Sequence, residues 1–354
     1  MTPEDREAFV DLTAHRPGFN RSAAEKRTQV IWHIAFENPT SDGGPTYFVA
    51  TDGSRLLCHM GRIPTWFFLE GKRHLASFAH DLFAHPELQA SGAGFFTTMK
   101  LYKSVESACQ SFCGLLWTNE INVKLQQARK YDQLWVRRWV RPLDASRMID
   151  DRLGVLPGVA RSLLKVAGRS AIGVGDLALR RSWRRAPVER IERADERFDR
   201  LAETVGPRLG IAPVKDRAYV HWKYFTWPNL PTTVYGIPTP GGDLRGFVVL
   251  REPQLPSDHG RVLDLVAAPD DEEAFNGLVA VAIEHFRKHR VHSVDCMATS
   301  PPVARALGRF FFVQRLPDMP LFYLNGQKAP NPEHLAHVEN WCHAFGDSEG
   351  GETP

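Results

Sequence analysis

Cysteine is scarce in this sequence and long apolar runs are missing, and each absence excludes a class of protein. Five cysteines in 354 residues, scattered and odd in number, do not make a disulfide framework; they point to a reducing compartment. No apolar stretch approaches the roughly 20 residues that a spanning helix needs. Residues 1–9 are charged and lack an apolar segment, so no secretory signal is expected and the expected location is cytoplasmic. Excess charge of one sign is also lacking: the formal net charge is +3, which announces no nucleic-acid partner. There is no Gly-Lys-Ser/Thr phosphate loop, no three-glycine dinucleotide fingerprint and no Ser-His-Asp elbow. Short-period repeats and low-complexity tracts are not apparent either.

What is present is ordinary globular composition, 43% hydrophobic and 24% charged, in a chain longer than one core comfortably needs. Two domains are therefore expected. The near-neutral total hides an uneven distribution. Residues 137–185 hold twelve basic side chains against four acidic ones, and the stretch 153–179 is small and apolar with several glycines. That texture marks a connector. The expected division is a first domain over 1–145, a basic helical connector over 146–210, a second domain over 211–346 and a fraying tail over 347–354.

The first domain reads as strands at 45–51 and 55–63 joined by the Asp52-Gly53 turn, then a strand at 74–84. After it come a glycine turn, a helix at 95–112, a strand at 114–118, a helix at 123–130 and a strand at 131–143. The second domain repeats this order: a hairpin across residues 240–243, a strand at 261–267, a helix at 274–289 opened by a capping box of Asp270 and Glu273, a strand at 294–298, a short helix at 301–309 and a last strand from 310. The fold class is α/β, an α+β mixed sheet in each half.

The turn Gln89-Ala90-Ser91-Gly92-Ala93-Gly94 is the informative motif. Its glycines let a ligand approach the backbone, and the helix behind it adds a partial positive end, so the place suits a pyrophosphate. Taken with its approach, Phe83-Ala84-His85-Pro86-Glu87-Leu88, the stretch resembles the marker of the GNAT superfamily of N-acyltransferases, Gln/Arg-x-x-Gly-x-Gly/Ala after a strand that ends in a proline-containing turn. The resemblance covers roughly residues 46–143. One departure is Ala90-Ser91, where members often carry a basic residue. In the second domain the same place is occupied by Ala268-Pro269 and four acidic residues, which would repel a phosphate. Trp222-Lys-Tyr-x-x-Trp-Pro228 and the ending Trp341 to Ser348 also look like tandem GNAT-type proteins of bacterial polysaccharide pathways. The implied fold is two tandem GNAT-like domains, the second with a degenerate phosphate loop.

The resemblance implies direct transfer of an acyl group, most simply acetyl, from acyl-CoA to an amine, with a backbone amide polarising the thioester. It implies acyl-CoA contacts at Phe83, Ala84 and residues 89–94, that is Gln89, Ala90, Ser91, Gly92, Ala93 and Gly94. Asp81, on the strand that would border the thioester, is the first choice for the base; His80 and His85 are alternatives, with His85 better suited to capping the turn. Members often carry a proton-donating tyrosine on a later helix. Here that position holds Gln126, so the acid is absent or comes from elsewhere, such as Tyr102. Asn119 either hydrogen-bonds the pantetheine arm or caps the next helix.

No metal is expected. His285, His289 and His292 have usable spacing, but no acidic or cysteine partner stands in register, and the histidines near the tail read as clutter. The basic connector reads either as paired helices with solvated arginines or as a weak membrane-surface contact through 153–185; Pro157 and its glycines argue against one long helix. The expected partner is a small-molecule amine, such as an amino sugar, and no nucleic acid. A tandem aminoacyl transferase with a tRNA donor and a non-catalytic scaffold are the alternatives.

Overall fold

The computed structural model describes residues 2–40, 42–53, 55–116, 120–144, 146, 149–150, 157–183, 187–253 and 259–347. Two helices come first, α1 (Arg6–Ala14) and α2 (Arg21–Phe36), the second capped by the Asn20 side chain on the Ala23 amide. Sequence reading assigned neither. The Asp52-Gly53 turn then behaves as expected, with Gly53 at φ 60° between antiparallel β1 (Tyr47–Asp52) and β2 (Arg55–Leu69). Glu70 and Gly71, both at positive φ, turn the chain into β3 (Lys72–Ala84). The order continues α3 (Pro86–Ala90), α4 (Ala93–Ala108), β4 (Phe112–Leu116), α5 (Glu120–Ala128) and β5 (Asp132–Pro142).

The connector differs from expectation. Residues 158–183, expected not to form one long helix, are one 26-residue helix, α6 (Gly158–Trp183). Pro157 stands just before it, where its missing N–H costs nothing, and interior glycines lower helix propensity by only about 1 kcal/mol each. Burial fixes one point of this helix: Asp176 accepts from both Arg141 and Arg287. No helix among the described residues is long and apolar enough to cross a membrane.

Beyond α6 lie β6 (Glu189–Ile191), α7 (Glu196–Thr204), β7 (Ala212–Pro213) and α8 (Arg217–Val220). The second set of strands and helices follows: β8 (Thr232–Pro238), β9 (Leu244–Arg251), β10 (Gly260–Ala267), α9 (Glu272–Lys288), β11 (Ser293–Met297), α10 (Pro301–Arg309) and β12 (Val313–Asn325). The face of α9 read from its spacing, including Phe275, Leu278, Val279, Ala282 and Phe286, is buried in the core of this part.

Contacts divide the chain into two compact units, and neither is contiguous. The first joins Met1–Trp135 with Ile211–Asn229 and Pro320–His337; the second joins Val136–Gly210 with Leu230–Met319 and Val338–Pro354. The contiguous division at 145, 210 and 346 does not follow these contacts, because strands are exchanged. In the first unit the strand order is β1-β2-β3-β4-β12, and in the second β5-β11-β10-β9-β8-β6. The C-terminal part of β12 pairs antiparallel with β4, while β5 pairs antiparallel with β11. Among the described residues the first unit has three antiparallel strands (β1, β2, β3) and the second four (β6, β8, β9, β10), and each continues with a parallel pair (β3 with β4, β10 with β11) and a final antiparallel strand from the distant part of the chain. The aromatic stretch 217–228, expected in the second domain, belongs to the first unit.

Candidate functional site

Among the described residues of the first unit, β3 and β4 pair at Ser77 with Cys113 and at Phe78 with Gly114. The next described rungs, Ala79 and His80 opposite Leu115 and Leu116, are not paired, so the strands splay there. Crowding marks the last shared rung: a Cβ on Gly114 would stand 2.6 Å from the Phe78 ring. On its other edge β3 is bulged. His80 faces Gly61 and Phe83 faces His59, leaving Asp81 and Leu82 opposite Met60 alone, with Asp81 at φ 54°.

That bulge turns the Asp81 carboxylate fully inward. Arg16, just after α1, meets it at 2.5 Å and Arg27 of α2 at 2.8 Å; the side chain has no exposure. Burial would raise its pKa, but the Arg16 and Arg27 charges outweigh burial and hold the group well below the carboxylate range. His59, also fully buried, lies 3.9 Å away, and burial lowers its pKa to about 4 despite that carboxylate. A general base works best near the operating pH and within reach of the substrate proton. Asp81 meets neither condition. Its environment is that of an anchor tying the bulge to the N-terminal helices.

The predicted turn forms directly after the splay. Phe83 and Ala84 still pair with β2, and the Arg16 guanidinium lies 4.7 Å over the Phe83 ring. His85 caps α3, its Nδ1 accepting from the Glu87 amide at 3.2 Å, as anticipated. The Gln89 side-chain amide donates to the Ala84 carbonyl and binds the strand end to the turn. Ser91 Oγ donates to the Leu88 carbonyl at 2.9 Å, and the Gly94 amide to Ser91 O at 3.1 Å. Gly94 is required by close packing, since a Cβ there would stand 2.2 Å from Leu88 O. A Cβ on Gly92 would meet nothing within 4 Å. Gly92 is also the N-cap of α4, and no side chain caps that helix. Apart from the Gly94 amide, taken by Ser91 O, its first-turn amides and the positive end of its dipole face an exposed turn. Phe95 and Phe96 stand exposed beside it, at 61% and 68%. None of residues 89–94 is cationic, so anion binding here would rest on backbone and dipole.

Tyr102 lies inside the core at 1% exposure. Its hydroxyl accepts from Gln126 Nε2 at 2.8 Å, and burial pushes its pKa up to about 12. The expected acid is thus packed away, hydrogen-bonded to the residue at the position where a tyrosine was sought. Asn119 lies outside the described residues. The structure gathers Phe83, Ala84 and residues 89–94 into one turn beside the splay; Asp81 and Tyr102 are turned into the interior.

The second unit carries the same approach to a different end. Asp264-Leu-Val-Ala267-Ala-Pro269-Asp270 matches Asp81-Leu-Phe-Ala84-His-Pro86-Glu87 at Asp, Leu, Ala and Pro, with an acidic residue last, a repeat that sequence reading passed over. Here α9 starts at once. Its cap is Asp271, accepting from the Ala274 amide at 3.0 Å, one residue later than the expected Asp270 box. Arg245 holds Asp271 at 2.7 Å and Glu273 at 3.0 Å, and Arg208 holds Asp270 at 2.7 Å. The acidic turn is satisfied internally.

No protein-family model matches the sequence, and no curated protein is similar enough in sequence to count as a relative. Solved structures are similar in fold. A GCN5-related N-acetyltransferase from Kribbella flavida superposes with TM-score 0.57 at 14% identity, over 93% of this chain and 70% of its own. The fold is the GNAT fold. A second GCN5-related N-acetyltransferase, from Anabaena variabilis, gives 0.58 at 13% identity, over 91% and 70% of the two chains. The N-myristoyltransferase of Saccharomyces cerevisiae, solved with bound myristoyl-CoA, gives 0.53 at 11% identity, over 94% and 83%. At such identities the likeness speaks for the GNAT fold alone.

Proposed function

We propose that this chain transfers an acyl group, most simply acetyl, from acyl-CoA to an amine, with the coenzyme on the first unit. The observation that carries the reading is the splay of β3 from β4, which opens backbone groups of β3 and ends at the turn of an uncapped helix. A thioester arm lying along the open strand would meet amides able to polarise its carbonyl, and the turn at its end suits a pyrophosphate. The amine nitrogen attacks the carbonyl carbon, the C–S bond breaks, and coenzyme A leaves as the thiolate. The amine proton passes to water, since Asp81 and Tyr102 are both occupied inside the core. An amino sugar is the acceptor class suggested by the resemblance to polysaccharide-pathway proteins. The turn argues against a tRNA donor, which needs no pyrophosphate cradle.

Calorimetric titration with acetyl-CoA and with longer acyl-CoAs tests the reading. Binding is expected; its absence for every chain length would favour a non-catalytic scaffold.

On α6, Val159, Leu163 and Val166 recur on one face with exposures of 77%, 68% and 61%, in a segment of net positive charge. This supports a contact with an anionic membrane surface. Flotation with phosphatidylserine vesicles should carry the protein upward at low salt, and neutral vesicles should not.

A further inference from the structure

Sequence reading set aside a metal because no acidic residue stood in register with the histidines near the end of α9. Folding supplies one. Glu252 follows the last residue of β9, and its Oε2 lies 3.4 Å from His285 Nε2 and 3.5 Å from His289 Nε2. We propose that Glu252, His285 and His289 bind one divalent transition-metal ion of the zinc type, on the second unit.

The spacing of four places the two imidazoles one helical turn apart, with ring centroids 4.4 Å from each other. All three ligand atoms lie within 4.8 Å of one another. Bonds of about 2.0–2.1 Å to a tetrahedral ion put ligand atoms roughly 3.3 Å apart, close to the two nitrogen–oxygen separations seen here. Both contacts to Glu252, at 3.4 and 3.5 Å, are longer than the roughly 2.7–2.9 Å of a charge-assisted hydrogen bond. His289 Nδ1 is 2.9 Å from the His285 carbonyl oxygen, an acceptor only. That nitrogen must carry the proton, so in the neutral ring Nε2 presents its lone pair to Glu252. The buried Nε2 of His285 has no hydrogen-bond partner.

The outer contacts are those of a ligand set. Tyr235 OH lies 3.2 Å from His285 Nδ1 and fixes that ring. Thr233 donates to Glu252 Oε1, leaving Oε2 for the ion. Nearby cations are already paired, Arg190 with Glu192 at 3.1 Å and Lys288 with Glu284 at 3.5 Å. His285 is 6% exposed, Glu252 25% and His289 43%, so the site is open on the His289 side, where water could complete the coordination.

The test uses the full chain, purified without a histidine tag and stripped with chelator. Titration with Zn²⁺ by calorimetry and with Co²⁺ by visible absorption should show one ion per chain, with the intense ligand-field bands of four-coordinate cobalt. His289→Ala and Glu252→Gln, both at partly exposed side chains, should each weaken binding at least tenfold with unchanged circular dichroism, and Tyr235→Phe by a smaller factor. Failure of the folded, stripped protein to take up either ion would overturn the proposal. So would unchanged stoichiometry and affinity in both variants, which would place the ion on other histidines. Neither result depends on whether acyl-CoA binds.

Discussion

Two turns that begin with nearly the same residues end as opposites. In the first unit the motif Asp-Leu-Phe-Ala-His-Pro-Glu leads into Gln89, Ala90, Ser91 and Gly92, and α4 starts late with no side-chain cap. In the second, Asp-Leu-Val-Ala-Ala-Pro-Asp leads straight into a helix capped by Asp271 and locked by Arg245. The shared residues make a strand end and a proline turn. The residues that follow decide whether the helix terminus receives a side-chain cap or goes without one. The leading aspartates also diverge: Asp81 is turned onto two arginines, while Asp264 accepts from the Leu265 amide at 3.0 Å.

The sharpest way to break this comparison is at those aspartates. Asp81→Ala should cost about 3–5 kcal/mol, because two partly buried guanidiniums lose their fully buried counter-charge; Asp264→Ala should cost about 1–3 kcal/mol, the scale of one lost buried acceptor. Urea unfolding of both variants checks the order, and equal losses would remove the anchor role given to Asp81.

Next come the turns. Gly92→Glu points a carboxylate into open space at the proposed phosphate site. It should weaken acetyl-CoA binding about 100-fold or more while the melting temperature holds, since like charges at close range cost several kcal/mol. Wild-type affinity in this variant would move the coenzyme elsewhere.

A pH scan separates the units further. His59 has its pKa lowered from 6.5 to about 4 in the folded protein, so the unfolded chain takes the proton first as pH falls. The stability tied to it is full above pH 6.5 and is lost as pH drops toward 4, by about 2 kcal/mol at pH 5. Comparing urea midpoints at pH 7 and 5 for wild type and His59→Leu should show the smaller loss in the variant. The smallest effect belongs to the second turn: Asp271→Ala removes a helix cap worth about 1 kcal/mol and should leave acetyl-CoA binding untouched.

Much of the strand and helix order from residue 45 onward was legible, because Asp52-Gly53, the alternating strands and the apolar face of α9 are local signals. The roles of the charged side chains were not. Asp81 looked like a base because its partners, Arg16 and Arg27, stand on or beside two helices left unread, 65 and 54 positions upstream. The Asn20 cap was a signal that could have found α2. Glu252 likewise joins His285 and His289 only because β9 and α9 pack together. The repeated Asp-Leu-x-Ala-x-Pro motif was readable and would have aligned the units directly.

The traded strands bear on how the protein is made. A ribosome delivers the chain from its N-terminus, so β1 to β4 emerge long before the residues of β12 that pair with β4. Until then β4 presents an open edge of amides and carbonyls, the kind of surface that recruits other chains. Domain-by-domain folding during synthesis is closed to the first unit. Its final closure waits for the C-terminal part of β12, so termination anywhere before Pro320 would strand an aggregation-prone product rather than a working half.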